Sequence, residues 1–189
     1  MKINKNDITI SNGLSLLRLF MAIPFWFLLN NFHEQETRKV IILVGVFVVF
    51  SDWADGFFAR KFNQETEIGK IIDPLADKIC AAVLIYKLYL IGEITQLLFF
   101  ILIGRDLLIF LGGMLLTKYL GKVLPSNFLG KITVTIFAVF VFMICFAIDK
   151  NSFPYLFIFY LIIFLSFLSL IAYAIRGIEF IKKKNNEHI

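Results

Sequence analysis

Residues 51–78 read SDWADGFFARKFNQETEIGKIIDPLADK, and long apolar runs flank them on both sides. The stretch carries four aspartates, Asp52, Asp55, Asp73 and Asp77. Asp52 and Asp55 are three residues apart and Asp73 and Asp77 four apart, so each pair falls on one face of a helix. Gly56 and Ala59 continue the face of Asp52, and Gly69 precedes Asp73 by one turn. Between the pairs lie Arg60, Lys61, Asn63 and Thr66. Four carboxylates gathered at the edge of two apolar helices repel one another, and an unpaired one costs several kcal/mol to bury. A hydrated helix–loop–helix accounts for a lone aspartate. It does not account for four of them interleaved with Gly, Ala and Arg.

The flanking sequence defines the setting. Of 189 residues, 59% are hydrophobic and 17% charged, with 23 phenylalanines and a mean hydropathy of +0.83. Soluble domains are about half apolar. The excess here comes in blocks near the ~20 residues that span a bilayer. Six spans are expected, at about Gly13–Asn30, Lys39–Phe57, Ile71–Leu90, Ile94–Thr117, Ile132–Ile148 and Phe153–Ile175. The connections are short and polar. The fold class is therefore an all-α integral membrane protein with six transmembrane helices, forming a single domain over residues 1–189. The N-terminal stretch lacks a small-residue cleavage site after a short apolar core, so the first block is expected to remain as a span. Cys80 and Cys145 lie inside apolar blocks without metal-ligand spacing and read as inert small residues. The net charge of +5 suits basic loops facing anionic headgroups, not nucleic acid.

Orientation follows from Lys and Arg near the span ends. With the N-terminus in the cytoplasm, Lys2, Lys5, Arg60, Lys61, Lys70, Lys118, Lys122, Lys131, Arg176 and Lys182, Lys183 and Lys184 fall inside. Only Arg38, Lys39, Lys87 and Lys150 fall outside. Both termini are then cytoplasmic, and the four aspartates sit at the cytoplasmic ends of the second and third spans, on the side where water-soluble nucleotides are found.

Oxygen-only ligands select hard cations such as Mg²⁺ or Mn²⁺. Two ions bridged by Asp52, Asp55, Asp73 and Asp77 would neutralise the cluster and clamp a phosphate group. Gly56 and Ala59 leave room for a bulky ligand near the helix backbone, and Arg60 offers a planar fork for a phosphate. Two further cations lie in or beside apolar spans: Arg105, next to Asp106, and Lys131. Both read as contacts for an acceptor phosphate, with Arg18 of the first span reaching the same cavity. For Arg105, an ion pair with an aspartate of the site and snorkelling to the interface stay open. No ionisable residue lies between Phe153 and Ile175, and the last two spans read as lipid-facing or packing helices without chemistry. An ion-coupled transporter is the rival class. It should spread its acids through the bilayer and show an inverted repeat, whereas these four cluster at one boundary.

Written as a pattern, Asp52 to Asp77 is D-x2-D-G-x2-A-R-x8-G-x3-D-x3-D. This resembles the signature of the CDP-alcohol phosphatidyltransferase family, with every position filled. The opening Asn12, Ser15 and Arg18 is similar to the N-x2-[ST]-x2-R of many members. The resemblance implies six helices around a polar cavity open to the cytoplasm, a homodimer, and placement in a bacterial cell membrane. It implies attack of an alcohol on the β-phosphorus of CDP-diacylglycerol with release of CMP. Asp52, Asp55 and Asp73 match metal-ligand positions. Asp77 matches the general base and touches the second metal. Gly56, Ala59, Arg60 and Gly69 match CDP-binding positions, with Thr66 near a hydroxyl used for the nucleotide. For the acceptor, glycerol 3-phosphate, giving phosphatidylglycerophosphate, is the first expectation. The Arg105–Asp106 pair and LPSNFLGKITVT are also similar to CMP-forming cardiolipin synthases, which use phosphatidylglycerol, and members of the first type often carry an arginine where this chain has Gly112 and Gly113.

Overall fold

The computed structural model describes residues 20, 22–62, 69–120 and 128–187, with side chains described outside 48–49, 51–77, 120 and 185–187. The described chain is helical. Helix α1 covers residues 22–28 and passes into a 3-10 turn, Leu29–Asn31. It is followed by α2 (Gln35–Phe62), α3 (Gly69–Leu90), α4 (Gln96–Leu120), α5 (Phe128–Cys145) and α6 (Phe153–Glu187). Among the described residues, three helices are long and apolar enough to cross a bilayer: α4, α5 and α6. The fourth to sixth expected spans are these three.

Boundaries differ from the hydropathy estimate where local chemistry outweighs it. Helix α6 continues twelve residues past Ile175, to Glu187. Its 35 residues rise about 52 Å, well beyond an apolar core of about 30 Å. Hydropathy marks only the bilayer crossing, whereas the backbone hydrogen-bond ladder runs on into RGIEFIKKKNNE. Helix α5 ends at Cys145, not Ile148. Ala147 takes a positive φ of 53°, and the amides of Ala147 and Ile148 donate back to the carbonyls of Ile144 and Met143 at 3.0 and 3.1 Å. This double bond is a Schellman cap. Helix α3 ends the same way on Gly92 (φ 76°), with Gly92 N–H to Tyr89 C=O at 3.1 Å and Glu93 N–H to Leu88 C=O at 2.9 Å. The start of α4 is capped by Thr95, whose Oγ1 accepts from the Leu98 amide at 3.3 Å.

The chain divides into two compact units, Met1–Glu93 and Ile94–Ile189. In the first, Leu29 and Phe32 of the α1–α2 connection are buried, as are Ile41 of α2 and Ile85 and Leu88 of α3. Trp26 stacks on Tyr86 with centroids 5.9 Å apart. The buried Lys87 ammonium lies 4.5 Å from the Trp26 ring centroid and donates to Asn30 Oδ1.

In the second unit, α6 packs against both α4 and α5. Helices approach closely where side chains are missing, as in membrane bundles. A Cβ at Gly113 would lie 2.9 Å from Tyr173 Oη, and one at Gly177 would lie 2.9 Å from Leu116 Cδ1. Phe140 is fully buried and tilts against Tyr155 at 4.9 Å. Elsewhere on α6 the usual arrangement is inverted. Ser166 and Ser169 are fully buried, while Phe157, Phe164 and Phe167 are more than half exposed. That pattern fits a helix whose outer face meets lipid and whose inner face meets protein.

Candidate functional site

The signature residues fall on two consecutive helices. Asp52, Asp55, Gly56, Ala59 and Arg60 lie in continuous helix within α2, and Gly69, the first residue of α3, leads to Asp73 and Asp77. The i, i+3 and i, i+4 relationships read from the sequence therefore hold on the backbone. The side chains of these residues lie outside the described set, and Thr66 and Arg18 lie outside the described residues altogether. Among the described residues no group of three or more His, Cys, Asp or Glu comes together, so that part of the chain holds no competing metal centre. Neither Cys80 nor Cys145 is in a disulfide.

Arg105 has a defined environment. It sits midway along α4 and is only 5% exposed. Its guanidinium donates from Nε to Ser169 Oγ of α6 at 2.9 Å and from Nη1 to Asp106 Oδ1 at 2.8 Å. A third bond runs from Nη2 to the Gly130 carbonyl of α5 at 3.3 Å. One cation thereby ties three helices together. Among the described residues its carboxylate partner is the adjacent Asp106, whose side chain is 30% exposed. A buried guanidinium needs such partners, because a charge left unpaired in an apolar interior costs several kcal/mol. Lys131 follows Gly130 directly, and its side chain is exposed. Gly112 and Gly113 face Tyr173 of α6, so an arginine side chain at either position would meet that ring.

Sequence reading passed over Ser166, Ser169 and Gly130. The serines lie three apart in an otherwise apolar helix. Paired small polar residues on one helix face are a known signal for packing or hydrogen bonding between membrane helices.

Comparison with known proteins decides the family. The sequence model described as CDP-alcohol phosphatidyltransferase matches residues 8–175. The chain belongs to the CDP-alcohol phosphatidyltransferase family. The matched segment runs through both compact units and contains the whole aspartate signature, Arg105 and Lys131. Among curated relatives, a CDP-diacylglycerol–glycerol-3-phosphate 3-phosphatidyltransferase of Aquifex aeolicus (strain VF5) is 40% identical over 110 residues, covering 57% of this chain and 59% of that protein. One of the same name from Rickettsia prowazekii (strain Madrid E) is 35% identical over 112 residues, 58% of each chain. One from Yersinia pestis (strain Pestoides F) is 36% identical over 77 residues, 41% of this chain and 42% of that one. The chain thus covers less than two thirds of the length of each of these relatives.

Proposed function

We propose that this phosphatidyltransferase moves a phosphatidyl group from CDP-diacylglycerol to glycerol 3-phosphate, forming phosphatidylglycerophosphate and CMP. The observation that carries the reading is the complete signature, Asp52 to Asp77, on two consecutive helices of a chain that belongs to the family. The relatives named for glycerol 3-phosphate favour that acceptor over phosphatidylglycerol.

In this reading the three described apolar helices are joined by three spans from the N-terminal half, including α2 and α3. Six helices then enclose a polar cavity that opens to the cytoplasm of a bacterial cell membrane, and the protein works as a homodimer. The donor set fits a hard divalent cation, because all four signature side chains at positions 52, 55, 73 and 77 offer carboxylate oxygen. Asp52, Asp55, Asp73 and Asp77 would hold two Mg²⁺ or Mn²⁺ ions. When bound, the ions polarise the pyrophosphate and stabilise the departing CMP. Asp77 takes the proton from the attacking hydroxyl as its oxygen bonds to the β-phosphorus and the bond from that phosphorus to CMP breaks. Gly56, Ala59, Arg60, Thr66 and Gly69 accommodate the CDP group. Arg105, Lys131 and Arg18 contact the acceptor phosphate. Arg105 has the chemistry for this, since a guanidinium carries five N–H donors and three protein acceptors engage it among the described residues.

The test is a reconstituted assay. The detergent-purified protein receives Mg²⁺ or Mn²⁺ and CDP-diacylglycerol. Glycerol 3-phosphate, phosphatidylglycerol, inositol phosphate and serine are then offered separately, and CMP and lipid product are measured. CMP release with glycerol 3-phosphate alone is expected. Release with phosphatidylglycerol instead would reassign the acceptor, and no release with any alcohol would overturn the enzyme reading.

A further inference from the structure

The buried polar cluster of the second unit contains two residues that the family signature does not include. We propose that Ser169 and Gly130 are positioning residues for acceptor recognition: they hold the Arg105 guanidinium in the orientation that presents its remaining N–H donors to the acceptor phosphate. This rests on the reading of Arg105 as an acceptor contact.

A free arginine side chain samples many rotamers, and its fork recognises a phosphate well only when its plane is fixed in advance. The Nε–H bond lies in the guanidinium plane. An acceptor held at Nε therefore sets the direction of the whole plane. Ser169 Oγ is that acceptor, 2.9 Å away on a fully buried residue. The hydroxyl is itself oriented, because it donates to the Ser166 carbonyl one turn earlier at 2.8 Å. Its hydrogen is thus directed along α6, which leaves lone-pair density for Arg105.

Gly130 bounds the guanidinium from α5. Its carbonyl accepts from Nη2, and a Cβ at that position would stand 3.1 Å from the same nitrogen. A side chain there would push the fork by a few tenths of an ångström. Asp106 fixes Nη1 from the same helix. Among the described residues three of its five donors are held, and the other two are the ones this proposal assigns to an acceptor oxygen.

Ser166 supplies the internal comparison. It is as buried as Ser169, but its Oγ has no hydrogen-bond partner among the described residues. If α6 needed only small residues for packing, the two hydroxyls would be equivalent. They differ in that one of them holds Arg105.

The experiment is two-substrate kinetics on the full-length protein in detergent, with KM measured separately for glycerol 3-phosphate and CDP-diacylglycerol. Ser169→Ala is expected to raise the acceptor KM about tenfold, with the CDP-diacylglycerol KM within about twofold of the parent. Ser169→Cys, similar in size but a weak acceptor, should behave like Ser169→Ala. Gly130→Ala should shift the acceptor KM in the same direction, and Ser166→Ala should leave both constants unchanged. Arg105→Lys, which keeps the charge and loses the fork, separates the two layers of the reading. If Arg105→Lys raises the acceptor KM and Ser169→Ala does not, positioning by Ser169 is overturned and the acceptor contact stands. If Arg105→Lys leaves the acceptor KM unchanged, the acceptor reading itself falls. Equal increases in both KM values for Ser169→Ala would mean that it only supports the fold, which also overturns the proposal.

Discussion

Arg105 on α4 and Ser169 on α6 are 64 residues apart in sequence, yet they share a 2.9 Å hydrogen bond inside the bundle. Three residues before Ser169, Ser166 is equally buried with no partner for its hydroxyl among the described residues. This pair predicts opposite effects on stability. Ser169→Ala should destabilise the protein by roughly 0.6 kcal/mol, the average for hydrogen bonds between membrane helices, and by no more than about 1.7 kcal/mol. Ser166→Ala should be neutral or stabilising, because the buried hydroxyl it removes makes no hydrogen bond among the described residues. Unfolding in mixed detergent, followed by circular dichroism, gives both values. Equal losses would show that the two hydroxyls are equivalent.

Ala147 ends α5 in a left-handed conformation where glycine is the usual residue. A Cβ in that region costs on the order of 1 kcal/mol. Ala147→Gly relieves this strain, partly offset by the greater freedom of glycine in the unfolded chain. The expected outcome is a higher Tm in detergent. A lower Tm would mean that the methyl group contributes packing that its exposed position does not suggest.

Lys87 in the last turn of α3 is buried between Asn30 and the Trp26 ring. A cation over an aromatic face contributes about 0.5–2 kcal/mol depending on desolvation. Trp26→Leu and Asn30→Ala should each destabilise the first unit, and the double variant should differ from their sum by at least about 0.5 kcal/mol, as contacts to one buried cation are coupled. Strict additivity, measured by the same unfolding assay, would mean that the two residues act independently.

Gly113 of α4 approaches Tyr173 of α6 so closely that a Cβ would meet its hydroxyl at 2.9 Å. Overpacking a close helix contact costs typically about 1–3 kcal/mol. Gly113→Val should fall in this range, and pairing it with Tyr173→Ala should recover most of the loss. Failure of that rescue would place the strain elsewhere than on the tyrosine.

The aspartates give a prediction about metal. Asp52→Asn should weaken Mn²⁺ binding, measured by calorimetry on the purified protein, while Asp77→Asn should abolish CMP release with binding largely retained. Chelation should stop the parent reaction, and Mg²⁺ or Mn²⁺ should restore it. Near-native turnover in Asp77→Asn would remove it from the role of base.

The aspartate signature was legible because it is local. Its spacing is that of a helix face, and α2 and α3 supply continuous helix at those positions. The three apolar helices of the second unit were legible for a similar reason, since about 20 apolar residues in a row have few other places to go. The ends of α5 and α6 were not, because a Schellman cap and a helix running past the bilayer leave little mark on hydropathy.

By itself, then, the sequence determined that this chain is a helical membrane protein and that it carries a complete CDP-alcohol phosphatidyltransferase motif. Only the tertiary structure decided what surrounds Arg105. A guanidinium in the middle of α4 has several candidate partners along the chain, among them the aspartates of the signature. The close approach of α5 and α6, permitted by Gly130, Gly113 and Gly177, brings a carbonyl and a hydroxyl to it. Which of two serines one turn apart meets that cation depends on the direction α6 faces, and this is set by contacts between residues distant in sequence.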